Sequence, residues 1–127
     1  MERGEKTMAR ALLFNIAGDK RKKLQFMLMQ YGIMEVEGRG EDCRQPLGKV
    51  LGKAGQFPGP TLEEPFSEEM LVLDELSPEQ FHGLLNGMQM LQAQVTYKAV
   101  TTEHNISWTP ARLLRELAAE HAALNGK

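Results

Sequence analysis

The chain has 127 residues, 42% hydrophobic and 25% charged, which suits one globular domain with its own core and leaves too little for two. Fifteen basic against seventeen acidic residues give a net charge of −2 at pH 7, so no global field draws the chain toward nucleic acid or an anionic membrane. Cys43 is the single cysteine, which excludes an intrachain disulfide and suits a reducing, cytoplasmic setting.

Residues 1–10 read as a flexible leader without an apolar signal region, and Met8 offers an alternative start. No stretch reaches membrane-spanning length. Residues 11–127 read as a single α/β domain. Its first run, Ala11-Leu12-Leu13-Phe14-Asn15-Ile16, is nearly continuous in apolar residues, as a strand covered on both faces would be. Leu24, Met27, Leu28 and Tyr31 share one face of a helix over residues 20–31, which Gly32 ends. Ile33-Met34-Glu35-Val36-Glu37 alternates and predicts a half-exposed edge strand.

Residues 38–68 form a crossover rich in glycine and proline. Residues 45–53 can make a short helix in it, with Leu47, Val50 and Leu51 inward. Glu69-Met70-Leu71-Val72-Leu73 predicts a second central strand. Ser77-Pro78-Glu79-Gln80 is a capping box ahead of a helix with Phe81, Leu84, Leu85, Met88 and Leu91 on one face. Gly83 and Gly87 weaken that helix unless tight packing requires them. Residues 95–100 predict a fourth strand. A polar elbow, Thr101-Thr102-Glu103-His104-Asn105, then leads to Trp108, the Thr109 cap and Pro110, which open the last helix. Leu113, Leu114, Leu117, His121 and Leu124 line one side of it, with His121 expected as a hydrogen-bonded core histidine.

At an offset of sixty, Leu12, Leu13, Ile16, Leu24, Leu28 and Tyr31 align with Val72, Leu73, Leu76, Leu84, Met88 and Leu91. Each half reads strand, helix, strand, helix. This predicts a ferredoxin-like sandwich of two βαβ halves plus extra helices, strand order 4-1-3-2. The alternative is a small parallel sheet, order 2-1-3-4, with helices on both faces.

The segments Gln45-Pro46-Leu47-Gly48, residues 65–73 with Phe66-Ser67-Glu68-Glu69-Met70, and Lys98-Ala99-Val100 with Thr102, Asn105 and Trp108 resemble one family. It is an uncharacterised bacterial family catalogued as domain of unknown function 3783. The resemblance spans residues 12–121 and implies a bacterial origin and no established activity. The chain departs from the family pattern in the elbow, where Thr102-Glu103-His104-Asn105 stands in place of Thr-Pro-Thr-Asn.

No catalytic signature is present. Gly48-Lys49-Val50-Leu51-Gly52-Lys53-Ala54 is one residue short of a phosphate loop and lacks its hydroxyl. His82, His104, His121 and Cys43 share no metal-ligand spacing, so neither metal nor cofactor is expected. Ser107 lacks the glycine-flanked elbow of a nucleophile. Glu63-Glu64 and Glu68-Glu69 read as a capped turn. Trp108 is placed to staple against Leu113, with Asn105 or elbow carbonyls as partners for its indole N–H. Met27, Met29, Met88 and Met90 pair on the two central helices, either filling the core or offering an adaptable contact.

The leading reading is a small binding or regulatory module that contacts a protein or small molecule through the elbow and residues 45–53, with pairing of two copies expected. The candidate contact residues are Gln45, Glu68, Lys98, Thr102, His104, Asn105 and Trp108. The rival is a small enzyme using His104 with Glu103 or Glu68 as acid and base. A weaker alternative is RNA binding through Lys20-Arg21-Lys22-Lys23.

Overall fold

The computed structural model describes residues 8–125. Four strands and four helices follow one another: β1 (Arg10–Phe14), α1 (Gly18–Gln30), β2 (Met34–Glu37), a 3-10 helix (Gly40–Arg44), α2 (Leu47–Val50), β3 (Met70–Asp74), α3 (Pro78–Met90), β4 (Tyr97–Val100) and α4 (Pro110–Asn125). Most of the leader lies outside the described residues. Ala9 is buried and Arg10 opens β1.

The sheet runs β2-β1-β3-β4. β1 and β2 are parallel, β3 and β4 are parallel, and the central pair β1–β3 is antiparallel. The ferredoxin-like order 4-1-3-2 is therefore not formed. The order is that of the alternative topology, but in a mixed sheet. The reason lies in the connections. Each βαβ half bonds its own two strands side by side, so no strand from the other half is inserted between them. The crossover then leaves the end of β2 and returns to the same end of the sheet, where Met70 pairs with Phe14, so β3 must run against β1.

The sixty-residue repeat is real in three dimensions. β1 and β3 correspond residue for residue, as do α1 and α3. The backbone turns left-handed at equivalent points, Asn15 (φ 59°) with Glu75 (φ 61°) and Gly32 (φ 68°) with Gln92 (φ 56°). After each helix the same bond recurs, Ile33 N–H to the Leu28 carbonyl and Ala93 N–H to the Met88 carbonyl, both at 2.8 Å.

Alternation along β1 and β3 splits the core between two faces. Ala11, Leu13, Leu71 and Leu73 pack under α1 and α3 with Leu24, Leu28, Leu84 and Met88. Leu12, Phe14, Met70 and Val72 pack on the other face with Leu47, Leu51, Leu113 and Leu114 from α2 and α4. This explains why both central strands read as continuous apolar runs. Where α1 crosses α3, a Cβ on Gly83 would overlap the Tyr31 ring, and one on Gly87 would lie 2.6 Å from Met27 Sδ. The two glycines are the close approach that the helix pattern required. α4 corrects the sequence at its end: Leu113 and Leu114 are buried, but Leu124 is exposed. His121 is exposed too, its ring edge-on to Tyr97 with centroids 5.8 Å apart, and is no core histidine.

Candidate functional site

The elbow is built from its own side chains. Asn105 is buried, and its Oδ1 accepts from the Thr102 N–H at 2.8 Å while its Nδ2 donates to the Val100 carbonyl at 3.1 Å. Thr102 Oγ1 accepts from the N–H groups of His104 and Asn105. Thr109 caps α4 by accepting from the Arg112 N–H at 3.1 Å. The loop in turn receives α2, whose first N–H groups, on Leu47 and Gly48, donate to the carbonyls of Trp108 and Ile106 at 2.8 and 2.9 Å. The elbow and the start of α2 are thus joined in one hydrogen-bonded unit. The Thr102 N–H, the Asn105 amide and the first N–H groups of α2 are bonded within this junction.

The candidate residues separate accordingly. Trp108 is half-buried over the α2–α4 core, with the Arg112 guanidinium 4.2 Å from its ring centroid. Gln45 precedes α2 and its Oε1 is buried with no hydrogen-bond partner in the protein, as is the Nε of Arg44. Thr102 and His104 are exposed on the turn. Lys98 pairs with Leu71 in the ladder, which puts it on the opposite face of the sheet, and its Nζ donates to the Val95 carbonyl at 2.8 Å. Glu68 precedes β3, whereas the elbow follows the strand that ends beside Leu73. About five strand residues, roughly 16 Å, separate the two ends, so His104 and Glu68 do not form an acid–base pair.

Other motifs resolve into structure. Lys20 meets Glu69 at 2.7 Å, Arg21 meets Glu35 and Glu37 at 2.7 and 3.0 Å, and Lys23 meets Asp19 at 3.2 Å. Three of the four residues in the basic patch are therefore engaged with carboxylates. A Cβ on Gly48 would overlap the Phe57 ring, so that glycine serves packing. Glu63 anchors α4, accepting from Thr109 Oγ1 at 2.8 Å, from Arg115 at 3.1 Å and from Thr61. Burial raises its pKa, but those hydrogen bonds outweigh burial and hold it below the ordinary value. Burial pushes the Cys43 thiol up, and its Sγ lies 3.7 Å from the Glu63 carbonyl. Among the described residues no three His, Cys, Asp or Glu side chains form a metal cage. No helix among them is long and apolar enough to cross a membrane.

Sequence reasoning missed an ionic cluster at the far end of β3. Asp74, 1% exposed, meets Lys53 Nζ at 3.1 Å, accepts from Thr101 Oγ1 at 2.7 Å and has Arg10 at 3.5 Å. Glu75 adds a second carboxylate to Lys53 at 3.0 Å. Burial lowers the Lys53 pKa, but the bonds to Glu75 and Asp74 outweigh it and set the ammonium above its ordinary value. The signal available in sequence was a lone Asp closing an apolar strand.

Beside this cluster, at the carboxyl ends of β3 and β4, a cleft of about 510 Å³ opens between α3 and the sheet. Leu73, Leu76, Pro78, Phe81 and Val100 form its apolar wall, with Glu75, His82 and Thr101 at its edges. Its polar groups are largely engaged, Thr101 with Asp74 and Glu75 with Lys53. His82 stands edge-on to Phe81, the ring centroids 5.6 Å apart. A second, more polar cleft of about 760 Å³ lies across Leu76, walled by Met8, Tyr31, Ser77, Glu79 and Gln80. The carboxyl ends of strands are where open α/β sheets commonly take ligands. The first cleft is also of ordinary size for a small organic molecule.

The residues that wall it fall between Leu73 and Thr101, entirely inside the stretch that has recognisable relatives. No curated protein and no solved structure matches the chain. Residues 69–124 match the family model described as Domain of unknown function (DUF3783).

Proposed function

We propose that the protein is a binding module whose ligand seat is the cleft between α3 and the ends of β3 and β4. The observation behind this reading is the cleft itself: about 510 Å³, walled mainly by apolar side chains and standing beside a rigid ionic cluster. Small-molecule sites have this character, an apolar concavity with a few fixed polar groups at its margin. The elbow takes a supporting part. Through Thr101 it forms one edge of the cleft, and through Asn105 it holds the turn that leads away. A fragment screen observed by amide NMR tests the reading. Shifts clustering on Leu73, Leu76, Phe81 and Val100, and abolished in folded Phe81→Ala, are expected; shifts clustering elsewhere would refute it.

A second reading keeps the elbow as a protein-contact surface. It is favoured by the Gln45 carboxamide oxygen, buried without a partner beside the segment that docks on Trp108. A rotation of the half-buried Gln45 side chain would bring that oxygen to an incoming donor, and the Trp108–Arg112 stack would supply a flat cationic-aromatic anchor of the type enriched at interfaces. Partner binding weakened equally by Gln45→Leu and Trp108→Ala, but not by Phe81→Ala, would select this reading over the first.

A further inference from the structure

Resting on the cleft as the ligand seat, a comparison of the two halves points to the chemistry of the ligand. Every residue of the cleft has a counterpart in the first half. Phe81 corresponds to Arg21 and Leu76 to Ile16 by the sixty-residue offset. Val100 corresponds to Glu37 because Leu73 pairs with Val100 as Leu13 pairs with Glu37. In the first half, the Arg21 guanidinium crosses the equivalent position. It donates to the Ile16 carbonyl at 3.2 Å and to the carboxylates of Glu35 and Glu37. That half therefore fills its own site with a cation and its counter-charges. In the second half the cation is replaced by Phe81, and the carboxylates by Lys98 and Val100. Lys98 is held by the Val95 carbonyl, and Glu75, the carboxylate on the wall, by Lys53.

We propose that the cleft takes a small uncharged aromatic molecule, its ring seated against Phe81, Leu76 and Val100. Charge is the discriminating property. An ionised ligand would shed its hydration against a wall whose charges are already paired, whereas a neutral ring loses little water and gains apolar contact. Phe81 supplies an aromatic face, and His82 beside it offers one polar contact at the rim. The volume of about 510 Å³ is several times that of a benzene-sized site, so one or two fused rings fit with room for substituents.

Three probes of similar size separate the possibilities: indole (neutral), benzoate (anionic) and benzamidine (cationic), each titrated into the full chain and followed by amide NMR. Indole is expected to shift Leu76, Phe81 and Thr101 saturably, with the two ions binding about tenfold more weakly or worse, the factor set by desolvation. Val100→Glu, at a position 47% exposed, should weaken indole and favour benzamidine. The double variant Phe81→Arg with Val100→Glu copies the first half and should abolish indole binding. Should that double variant fail to fold, Val100→Glu alone decides the point. Benzoate or benzamidine binding the wild-type cleft more tightly than indole would overturn the ligand class while leaving the cleft as the seat. No shift at the cleft from any of the three would remove the underlying reading as well. Indole failing where a tryptophan-containing peptide binds would assign the cleft to a protein partner and overturn the proposal.

Discussion

Leu12 and Val72 face each other across the antiparallel β1–β3 ladder and are also the equivalent residues of the two sixty-residue halves. A pseudo-twofold axis therefore passes through this one pair. Both side chains are fully buried against α2 and α4. The relationship makes the first half an internal control for the second, because an equivalent position shows what the fold does with a different side chain.

Gln92 occupies a left-handed conformation, φ 56°, where the first half uses Gly32. A side chain there costs about 1–2 kcal/mol, of which the entropy of a glycine in the unfolded chain returns part. Gln92→Gly should therefore stabilise the protein by about 0.5–1 kcal/mol in urea unfolding. Gly32→Gln should destabilise it by a similar amount.

Gly83 lies under the Tyr31 ring where α1 crosses α3. Alanine is the better helix former by about 1 kcal/mol, yet Gly83→Ala should destabilise by about 1–3 kcal/mol through overpacking. In a Tyr31→Ala background the same change should become neutral or stabilising. An additive double-mutant cycle would show that the contact does not set the helix spacing.

Asp74 is fully buried, whereas Lys53 and Arg10 keep 22% and 23% of their side chains exposed. Asp74→Ala should cost about 2–3 kcal/mol, below the range for a fully buried pair because the cations stay partly solvated. The raised pKa of Lys53 fixes a pH signature. Its contribution is complete below its ordinary value of 10.5 and is lost as pH rises through the higher folded value. Wild type and Lys53→Met should therefore differ in stability at pH 7 and converge in strongly alkaline solution.

Glu63 behaves in the opposite sense, its pKa held down by the bonds that anchor α4. Its stabilisation is complete above the ordinary value of 4.5 and disappears as pH falls through the lower folded value. Glu63→Gln should lower stability by about 1–2 kcal/mol at pH 7. The difference from wild type should vanish in acid unfolding monitored by circular dichroism.

Asn105 ties Thr102 to Val100, so Asn105→Ala should cost about 1–3 kcal/mol by leaving the Val100 carbonyl and the Thr102 N–H short of partners. Because Asn105 holds the carbonyl of Val100, a wall residue, indole should bind the folded variant more weakly while its shifts still cluster on Leu76 and Phe81.

Much of the fold was legible in the chain. The apolar runs at residues 11–16 and 69–73 marked the central strands, which span 10–14 and 70–74, the alternation at 33–37 marked an edge, and Ser77-Pro78-Glu79-Gln80 marked the start of α3. The candidate site was less so. The elbow was recognised as a cluster of polar residues, but a polar cluster bonded to itself and one open to a ligand look alike in sequence. Thr102 and Asn105 proved to be the first kind. The cleft was invisible because Leu76, Phe81 and Val100 read as ordinary core positions. Only the absence of an Arg21 equivalent leaves their surface uncovered.

The sequence by itself determined what is local: the strand and helix identities, the Ser77 and Thr109 caps, the glycine thinning of α3 and the sixty-residue repeat, all set by turn chemistry and by periodicities of two and 3.6 residues along one chain. Tertiary structure alone decided the antiparallel joining of the halves, the partners of Asp74 and the opening at the ends of β3 and β4. Those depend on which residues, tens of positions apart, meet across the sheet, and hydrophobic pattern records that a face is buried without recording what buries it.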